Sequence, residues 1–142
     1  MNNKPFSILH IDDDQVDRMI IEKVISKSGI TTHLFHAADG EEALDLLRGT
    51  NGKTVPDPMP DIIITDINMP RMNGLEFLKE LRSDHVLHHI SVLIMTTSND
   101  DADRKEAFSY NVSGYVIKPV DIHQFESTFQ ILHAYWKLSE WP

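Results

Sequence analysis

The sequence has 142 residues, of which 41% are hydrophobic and 25% charged, with a formal net charge of −9, as is typical of one globular domain. It contains no cysteine, which excludes disulfides, thiol catalysis and zinc–thiolate sites, and its negative charge opposes binding to nucleic acid or anionic lipid. No apolar run reaches the roughly 18 residues that span a bilayer, so we expect a cytoplasmic protein.

The first third of the sequence predicts two strand–helix units. "FSILHI" at 6–11 is typical of a buried strand, and "DQVDRMIIEKVISKSG" predicts a helix that ends at Gly29. "THLFHA" predicts a second strand and "DGEEALDLLRG" a second helix. Helical spacing predicts one inward apolar face on each helix. These faces consist of Val16, Met19, Ile20, Val24 and Ile25 in the first helix and Ala43, Leu44 and Leu47 in the second.

Residues 49–60 interrupt this alternation. The segment "GTNGKTVPDPMP" contains three prolines and two glycines, which predicts a loop. The strands "IIIT", "SVLIMT" and "GYVIKP" follow, separated by the predicted helices "NGLEFLKELR" and "DADRKEAFSYN". The last helix begins after a predicted N-cap, Asp121. The inward residues are Leu75, Leu78 and Leu81 in the third helix and Phe125, Phe129, Leu132 and Trp136 in the last.

The order of these elements predicts the fold class. Alternating strands and helices favour an α/β fold with an open five-stranded parallel sheet, doubly wound so that helices cover both faces. We expect residues 1–142 to form a single domain. In such sheets, sites lie beyond the carboxyl ends of the strands. The functional residues are therefore expected where the strands end.

Ionisable and hydroxyl side chains follow four of the predicted strands. Carboxylates that converge from two strands repel one another unless a cation lies between them. Mg²⁺ suits such a site because it prefers one or two carboxylates and leaves positions for phosphate oxygens. With a lysine and a hydroxyl nearby, the residues predict a phosphoryl-binding site with a nucleophilic carboxylate. The strand-end residues are Asp12, Asp13 and Asp14, then Asp66, then Thr96, Thr97 and Ser98, and finally Lys118 and Pro119.

Four segments in combination resemble the receiver domain of two-component response regulators, of the CheY-like kind. "ILHIDDD" resembles the acidic opening of this family and "DINMPRMNG" its phosphoacceptor motif. "LIMTTS" resembles its switch-threonine strand and "GYVIKP" its lysine–proline strand. The resemblance covers about residues 5–138 and implies the flavodoxin-like strand order 2-1-3-4-5.

The resemblance implies a phosphoacceptor and a Mg²⁺ site. Asp66 would accept the phosphoryl group as an aspartyl phosphate. Mg²⁺ would bind directly to Asp13, to Asp66 and to the backbone carbonyl of Asn68. Asp12, the other member of the acid pair, would bind the metal through water.

The resemblance also implies which residues stabilise the phosphate and which change position in response to it. Lys118 would pair with the acceptor and its phosphate, and the Lys118–Pro119 peptide bond would be cis. Thr96 would donate a hydrogen bond to a phosphoryl oxygen, and Tyr115 would turn inward as Thr96 moves. Ser98, together with the asparagine two residues after the acceptor, would tune the lifetime of the phosphate.

Several polar residues have simpler interpretations. Asp14 lies where a helix needs an N-cap, so we expect capping instead of metal binding. Thr97 is expected to be structural. His10 stands where an apolar residue is commoner in this family, and it is interpreted as a packed neutral imidazole. The loop at 49–60 is longer than usual for the family, but it is expected to lie away from the pocket.

Three histidines and a tryptophan outside the motifs also have possible binding roles. His85, His88 and His89 have helical ligand spacing, but they lie in a polar connection, which favours a solvated loop. Trp141 lies beyond the stripe of the last helix. It either covers an edge of the core or meets a partner.

Together these residues predict a stand-alone response regulator and no enzyme activity beyond phosphotransfer to itself and autodephosphorylation. The phosphoryl donor would be a phosphohistidine of a sensor kinase or a phosphotransfer protein. Phosphorylation would change the face formed by the fourth helix, the fifth strand and the last helix. That face would bind a downstream protein, or the phosphoryl group would pass onward, in a monomer or weak dimer.

Two alternatives belong to other functional classes. A haloacid-dehalogenase-like phosphatase also forms an aspartyl phosphate, but such enzymes carry a second acid two residues after the nucleophile, where this sequence has Asn68. A receiver that serves as a phosphate-independent scaffold usually lacks one of the site residues, and none is missing here.

Overall fold

The computed structural model describes residues 5–139 as an α/β fold in which strands and helices alternate. The strands are β1 (Phe6–Ile11), β2 (Thr32–Ala37), β3 (Ile62–Thr65), β4 (Ser91–Thr96) and β5 (Gly114–Ile117). The helices are α1 (Gln15–Ser28), α2 (Gly40–Arg48), α3 (Gly74–Ser83), α4 (Asp101–Ser109) and α5 (Ile122–Leu138). The predicted alternation is confirmed within this range.

The strands of the described range form one parallel sheet in the order β2-β1-β3-β4-β5. Leu9 of β1 pairs with Ile63 of β3, which in turn pairs with Val92 of β4. Because all pairs are parallel, the carboxyl ends of the strands share one edge of the sheet. The predicted fold class and strand order are therefore confirmed.

Both faces of the sheet are buried under helices. Successive side chains of a strand point to opposite faces. Ile63 accordingly packs in the core beneath α2 and α3, whereas Ile62 and Ile64 pack in the core beneath α1 and α5. Trp136 of α5 lies in this second core, as predicted. Burial on both sides explains why β3 has no polar alternation.

Capping side chains fix where the helices begin. Asp14 accepts hydrogen bonds from two backbone N–H groups of α1, and Asp121 accepts one from α5. Both are N-caps, as predicted. Asn73 caps α3 in a reciprocal capping box with Glu76. These bonds fix the start of α3 close behind the end of β3.

The buried face of α1 differs from the predicted one. Ile21 and Val24 are buried, but Val16 is 63% and Met19 64% exposed. The prediction that Val16 and Met19 face inward was wrong. The first turn of α1 begins at the carboxyl edge of the sheet, and Asp17, not Val16 or Met19, takes the inward position there. The inward face instead runs through Asp17, Ile21 and Val24.

Residues 49–60 form the predicted loop, at the amino end of the sheet. Ser7, near the start of β1, donates a hydrogen bond through Oγ to the carbonyl of Pro58 (3.0 Å). The backbone N–H of Ser7 donates to the Asp61 carboxylate (2.9 Å). The Asp57–Pro58 peptide bond is cis. The loop is therefore at the opposite end of the sheet from the residues that follow the strands.

Outside the core, His85, His88 and His89 are exposed in the turn between α3 and β4, as expected for a solvated connection. No helix found between residues 5 and 139 has the length and apolarity needed to cross a membrane. Trp141, for which the sequence allows either a core edge or a partner contact, lies outside the described residues.

Candidate functional site

The side chains that follow three strands meet at the carboxyl edge of the sheet. Lys118, directly after β5, donates a hydrogen bond from Nζ to Oδ2 of Asp66, which follows β3, over 3.0 Å. The same ammonium donates to Oδ2 of Asp12, which follows β1, over 2.8 Å. The parallel sheet therefore brings together the three ionisable residues that the sequence motifs placed at the strand ends.

Asp17 contributes a third carboxylate, which the sequence motifs did not indicate. Lys118 Nζ donates to Asp17 Oδ2 over 2.7 Å. Asp17 belongs to the first turn of α1 and lies on the inward face shared by Ile21 and Val24. The helical spacing of 17, 21 and 24 is the signal that could have revealed it, had the apolar stripe been assigned to this face.

Burial and charge act in opposite directions on the Lys118 ammonium. Its side chain is only 9% exposed, and burial alone would lower its pKa. Hydrogen bonds to the three carboxylates outweigh this and raise the pKa above its usual value. Lys118 is therefore a fixed cation at neutral pH.

Asp12 lies deepest among the site carboxylates. It is 1% exposed, and burial raises its pKa against the hydrogen bonds from Lys118 and from the Asp14 backbone. The Asp14 backbone N–H donates to Asp12 Oδ1 over 2.9 Å. Both Asp12 oxygens thus have donors from this chain.

The Asp66 carboxylate is fixed by its own loop. Oδ1 accepts from the backbone N–H of Ile67 (2.6 Å) and, more weakly, of Asn68 (3.4 Å). The Asp66 backbone N–H bonds to the carbonyl of Ile11 (3.1 Å), which ties the end of β3 to β1. The turn closes tightly, because a Cβ on Gly74 would collide with the Asp66 carbonyl oxygen. Glycine is therefore required where α3 begins.

Thr96 and Ser98 lie at the end of β4. Thr96 is fully buried, and its Oγ1 accepts from the backbone N–H of Ser98 over 3.1 Å. The Ser98 hydroxyl donates to Oδ2 of Asp103 on α4 over 2.7 Å. In this arrangement the Ser98 side chain fastens the β4–α4 connection to α4, and its suggested part in phosphate lifetime stays a prediction.

Tyr115 of β5 is half-buried beside this connection. Its hydroxyl donates to the carbonyl oxygen of Ser98 over 2.9 Å. The Arg104 guanidinium lies over the ring, 5.4 Å from its centre, in the range of a cation–π contact. Arg104 is a second residue that the motifs did not indicate, because the pairing depends on how α4 packs beside β5.

The expected metal ligands are oxygen donors at the open side of the site. Asp13 and Asn68 are exposed, while Asp14 is occupied as the N-cap of α1. No group of three or more His, Cys, Asp or Glu side chains within 5–139 is arranged to hold a metal ion. Aspartates with a backbone carbonyl are hard oxygen donors, and Mg²⁺ needs only one or two carboxylates from a protein. This donor set fits Mg²⁺.

His10 lies behind the acid pair. It is 3% exposed, and its Nε2 is 3.8 Å from Oδ2 of Asp12. Burial, together with the charges of His36, Lys118 and Arg18, lowers its pKa to about 3. His10 is therefore a neutral imidazole at pH 7, as the sequence interpretation expected.

The expected Lys118–Pro119 cis peptide bond is present. It follows β5 directly. The site thus contains Asp12, Asp66, Lys118 and Thr96 on neighbouring strand ends, in the order expected from the four motifs.

Known proteins share both the sequence pattern and this fold. The family model described as response regulator receiver domain matches residues 8–130. The probable methanogenesis regulatory protein FilR2 of Methanothrix harundinacea is 31% identical over 93% of this chain and 84% of its own. The response regulator Rcp1 of Synechocystis is 27% identical over 95% of this chain and 91% of its own.

Solved structures agree with these sequence matches. The structure of the Mn(2+)-bound form of response regulator Rcp1 has a TM-score of 0.81 at 25% identity, covering 96% of this chain and 98% of that one. The phosphorylated cyanobacterial phytochrome response regulator RcpA has a TM-score of 0.81 at 25% identity, covering 97% and 98%. By sequence and by fold, the chain belongs to the response regulator receiver domain family.

Proposed function

We propose that this two-component response regulator accepts a phosphoryl group on Asp66 and signals through the resulting change in its surface. The supporting observation is the position of Asp66, whose carboxylate is 3.0 Å from the Lys118 ammonium and is held by the backbone of the following loop. A nucleophile fixed beside a cation suits phosphoryl transfer, in which catalysis consists mainly of positioning and charge stabilisation.

The phosphoryl donor is a phosphohistidine of a sensor histidine kinase or a phosphotransfer protein. An oxygen of Asp66 forms a bond to phosphorus while the bond between phosphorus and the imidazole nitrogen breaks, and that nitrogen keeps the electron pair. The Lys118 ammonium stabilises the negative charge on the phosphoryl oxygens. Asp66 directly follows β3 at the carboxyl edge of the sheet, and the donor approaches it from that edge.

The residues around Asp66 would also hold a divalent metal. Asp13, Asp66 and the carbonyl of Asn68 would hold Mg²⁺ directly, with Asp12 bound through water. When bound, the ion neutralises charge on the phosphoryl oxygens. The Mn(2+)-bound form of Rcp1 supports a divalent-metal site in the family.

Thr96 and Tyr115 change position in response to the phosphoryl group on Asp66. The Thr96 hydroxyl now accepts from the Ser98 backbone, and a phosphoryl group on Asp66 offers it an oxygen to which it can donate. Moving Thr96 shifts the β4–α4 connection to which Tyr115 is bonded. The face of α4, β5 and α5 then presents a second arrangement to a downstream protein.

The acceptor assignment is tested with acetyl phosphate and Mg²⁺. Wild-type protein is expected to gain a phosphoryl group that is labile to base, detected by intact-protein mass spectrometry. Asp66→Asn should gain none. Asp14→Asn is the matched control, because Asp14 is a neighbouring aspartate that caps α1 and should leave labelling unchanged. Labelling of Asp66→Asn at the wild-type level would overturn the assignment.

A further inference from the structure

The hydrogen-bonding capacity of Lys118 is filled by carboxylates. An ammonium group carries three N–H donors. Asp17, Asp12 and Asp66 accept from it over 2.7, 2.8 and 3.0 Å. A phosphoryl oxygen that bonds to this ammonium must therefore replace one of the three.

Two of these partners change during the proposed reaction. Asp66 becomes an acyl phosphate, so its carboxylate can no longer hold Lys118 as it does now. Asp12 belongs to the acid pair that would also take part in metal binding. Only the third partner, Asp17, has no assigned role in the reaction.

Asp17 is held rigidly and independently of β5. It lies in the first turn of α1, where the N-cap Asp14 bonds to its backbone N–H (3.4 Å). The helix is fixed on the sheet through the buried Ile21 and Val24. No second hydrogen bond to the Asp17 carboxylate is found among residues 5–139, so no other donor in that range competes with Lys118 for it.

We propose that Asp17 is a positioning residue that keeps Lys118 Nζ at the site while the partnerships of Asp12 and Asp66 change. This inference rests on the proposed phosphorylation of Asp66. The lysine side chain is a flexible four-carbon stem, and without Asp17 both remaining partners would be ones that the reaction alters. Helix α1, which lies outside the four motifs, thereby sets the position of the Lys118 ammonium that meets the phosphoryl group.

The test compares Asp17→Asn with Asp14→Asn. Both substitutions remove one negative charge from the same end of α1, and asparagine remains a good N-cap at 14, but only residue 17 contacts Lys118. The first readout is the NMR signal of the Lys118 ammonium in ¹⁵N-lysine-labelled, metal-free protein, assigned by its absence from Lys118→Arg. We expect faster hydrogen exchange of this signal in Asp17→Asn and wild-type exchange in Asp14→Asn.

The second readout is the rate of phosphorylation by acetyl phosphate in saturating Mg²⁺. Asp17→Asn should be slower by about tenfold, as expected from loss of a charge-assisted hydrogen bond, and Asp14→Asn should stay within about twofold. Asp17→Glu keeps the carboxylate and should recover part of the rate and of the protected ammonium signal. This rescue separates positioning from a loss of folding.

The outcomes distinguish this inference from the proposed function. If wild-type protein is phosphorylated and Asp17→Asn matches Asp14→Asn in both readouts, Asp17 supplies only background charge and the inference is overturned. If wild-type protein gains no phosphoryl group, the proposed function fails. The ammonium signal in metal-free protein still shows in that case whether Asp17 holds Lys118.

Discussion

The Tyr115 hydroxyl donates a hydrogen bond to the carbonyl oxygen of Ser98 over 2.9 Å, so a β5 side chain is fastened to the connection that follows β4. Arg104 of α4 lies over the face of the same ring, 5.4 Å from the ring centre. The side chain is thus held at its hydroxyl by a backbone carbonyl and at its ring face by a cation. Any movement of the connection after β4 is transmitted to a side chain on the face proposed to bind a partner.

Replacing Arg104 tests how firmly the ring is held. Arg104→Ala is expected to destabilise the fold by about 0.5–1 kcal/mol through loss of the cation–π contact, measured by chemical denaturation. With 3-fluorotyrosine in the protein, the Tyr115 resonance, assigned with Tyr115→Phe, should shift toward its solvent-exposed position. The exposed neighbour Lys105→Ala is the control. An unchanged Tyr115 resonance in Arg104→Ala would show that the hydroxyl bond alone holds the ring.

Because of His10, we expect the folded state to lose stability in acid. Its pKa in the folded protein is about 3, below the ordinary value of 6.5, so the unfolded chain binds the additional proton between these values. Stability is therefore fully present above about pH 6.5 and falls as the pH drops toward 3. At pH 5 this difference in proton binding lowers the free energy of unfolding by about 2 kcal/mol relative to neutral pH.

The measurement is the free energy of unfolding from pH 7 to pH 4 in EDTA. His10→Leu should flatten the fall in this free energy over that range, whereas His88→Gln, at an exposed position, should not. If His10→Leu shows the same fall as wild type, the acid sensitivity arises elsewhere, and His36, whose pKa is also lowered by burial, becomes the next residue to replace.

We expect that no side chain can be added at Gly74 without a steric clash next to the acceptor Asp66. Alanine there would place a Cβ against the Asp66 carbonyl oxygen, and such overpacking costs about 1–3 kcal/mol. Gly74→Ala should lower the free energy of unfolding by that amount and slow phosphorylation by acetyl phosphate. Gly52→Asn is the control, since an added Cβ meets nothing within 4 Å at this loop glycine and asparagine tolerates a positive φ. Equal stability of the two variants would contradict the steric explanation.

Metal binding predicts stabilisation of the folded state. A ligand that binds only the folded protein stabilises it by about 2.7 kcal/mol at a hundredfold excess over Kd. Mg²⁺ should therefore raise Tm in a concentration-dependent manner, followed by circular dichroism. Asp13→Asn should lose most of this shift and Asp14→Asn should keep it. A full shift in Asp13→Asn would remove Asp13 from the ligand set.

The strand-end residues could be predicted because their positions follow from topology. In a parallel sheet, all residues that directly follow a strand lie at the same edge. Asp12, Asp66 and Lys118 were therefore expected to meet, and they do. The two missed contacts have a different origin. Asp17 and Arg104 reach the site from helices, where a rotation of one residue changes which side chain faces inward.

The orientation of α1 shows why such contacts are hard to infer. Val16 and Met19 have the apolar character of an inward face, yet both are exposed. Periodicity alone reports which residues share a face, but the first turn extends past the sheet, where the inward position is filled by Asp17. The hydrogen bond from the Ser98 hydroxyl to Asp103 could likewise not be predicted, because it depends on how α4 packs against the sheet.

The position of the 49–60 loop has a practical consequence. It joins the sheet at its amino end through Ser7, so the length of the strands separates it from Asp66 and Lys118 at the carboxyl end. A Cβ added at Gly52 in this loop would meet nothing within 4 Å. A fluorophore or an immobilisation tag attached there leaves the chemistry and the proposed partner face uncovered, which makes the loop a suitable handle for watching the molecule while it is phosphorylated.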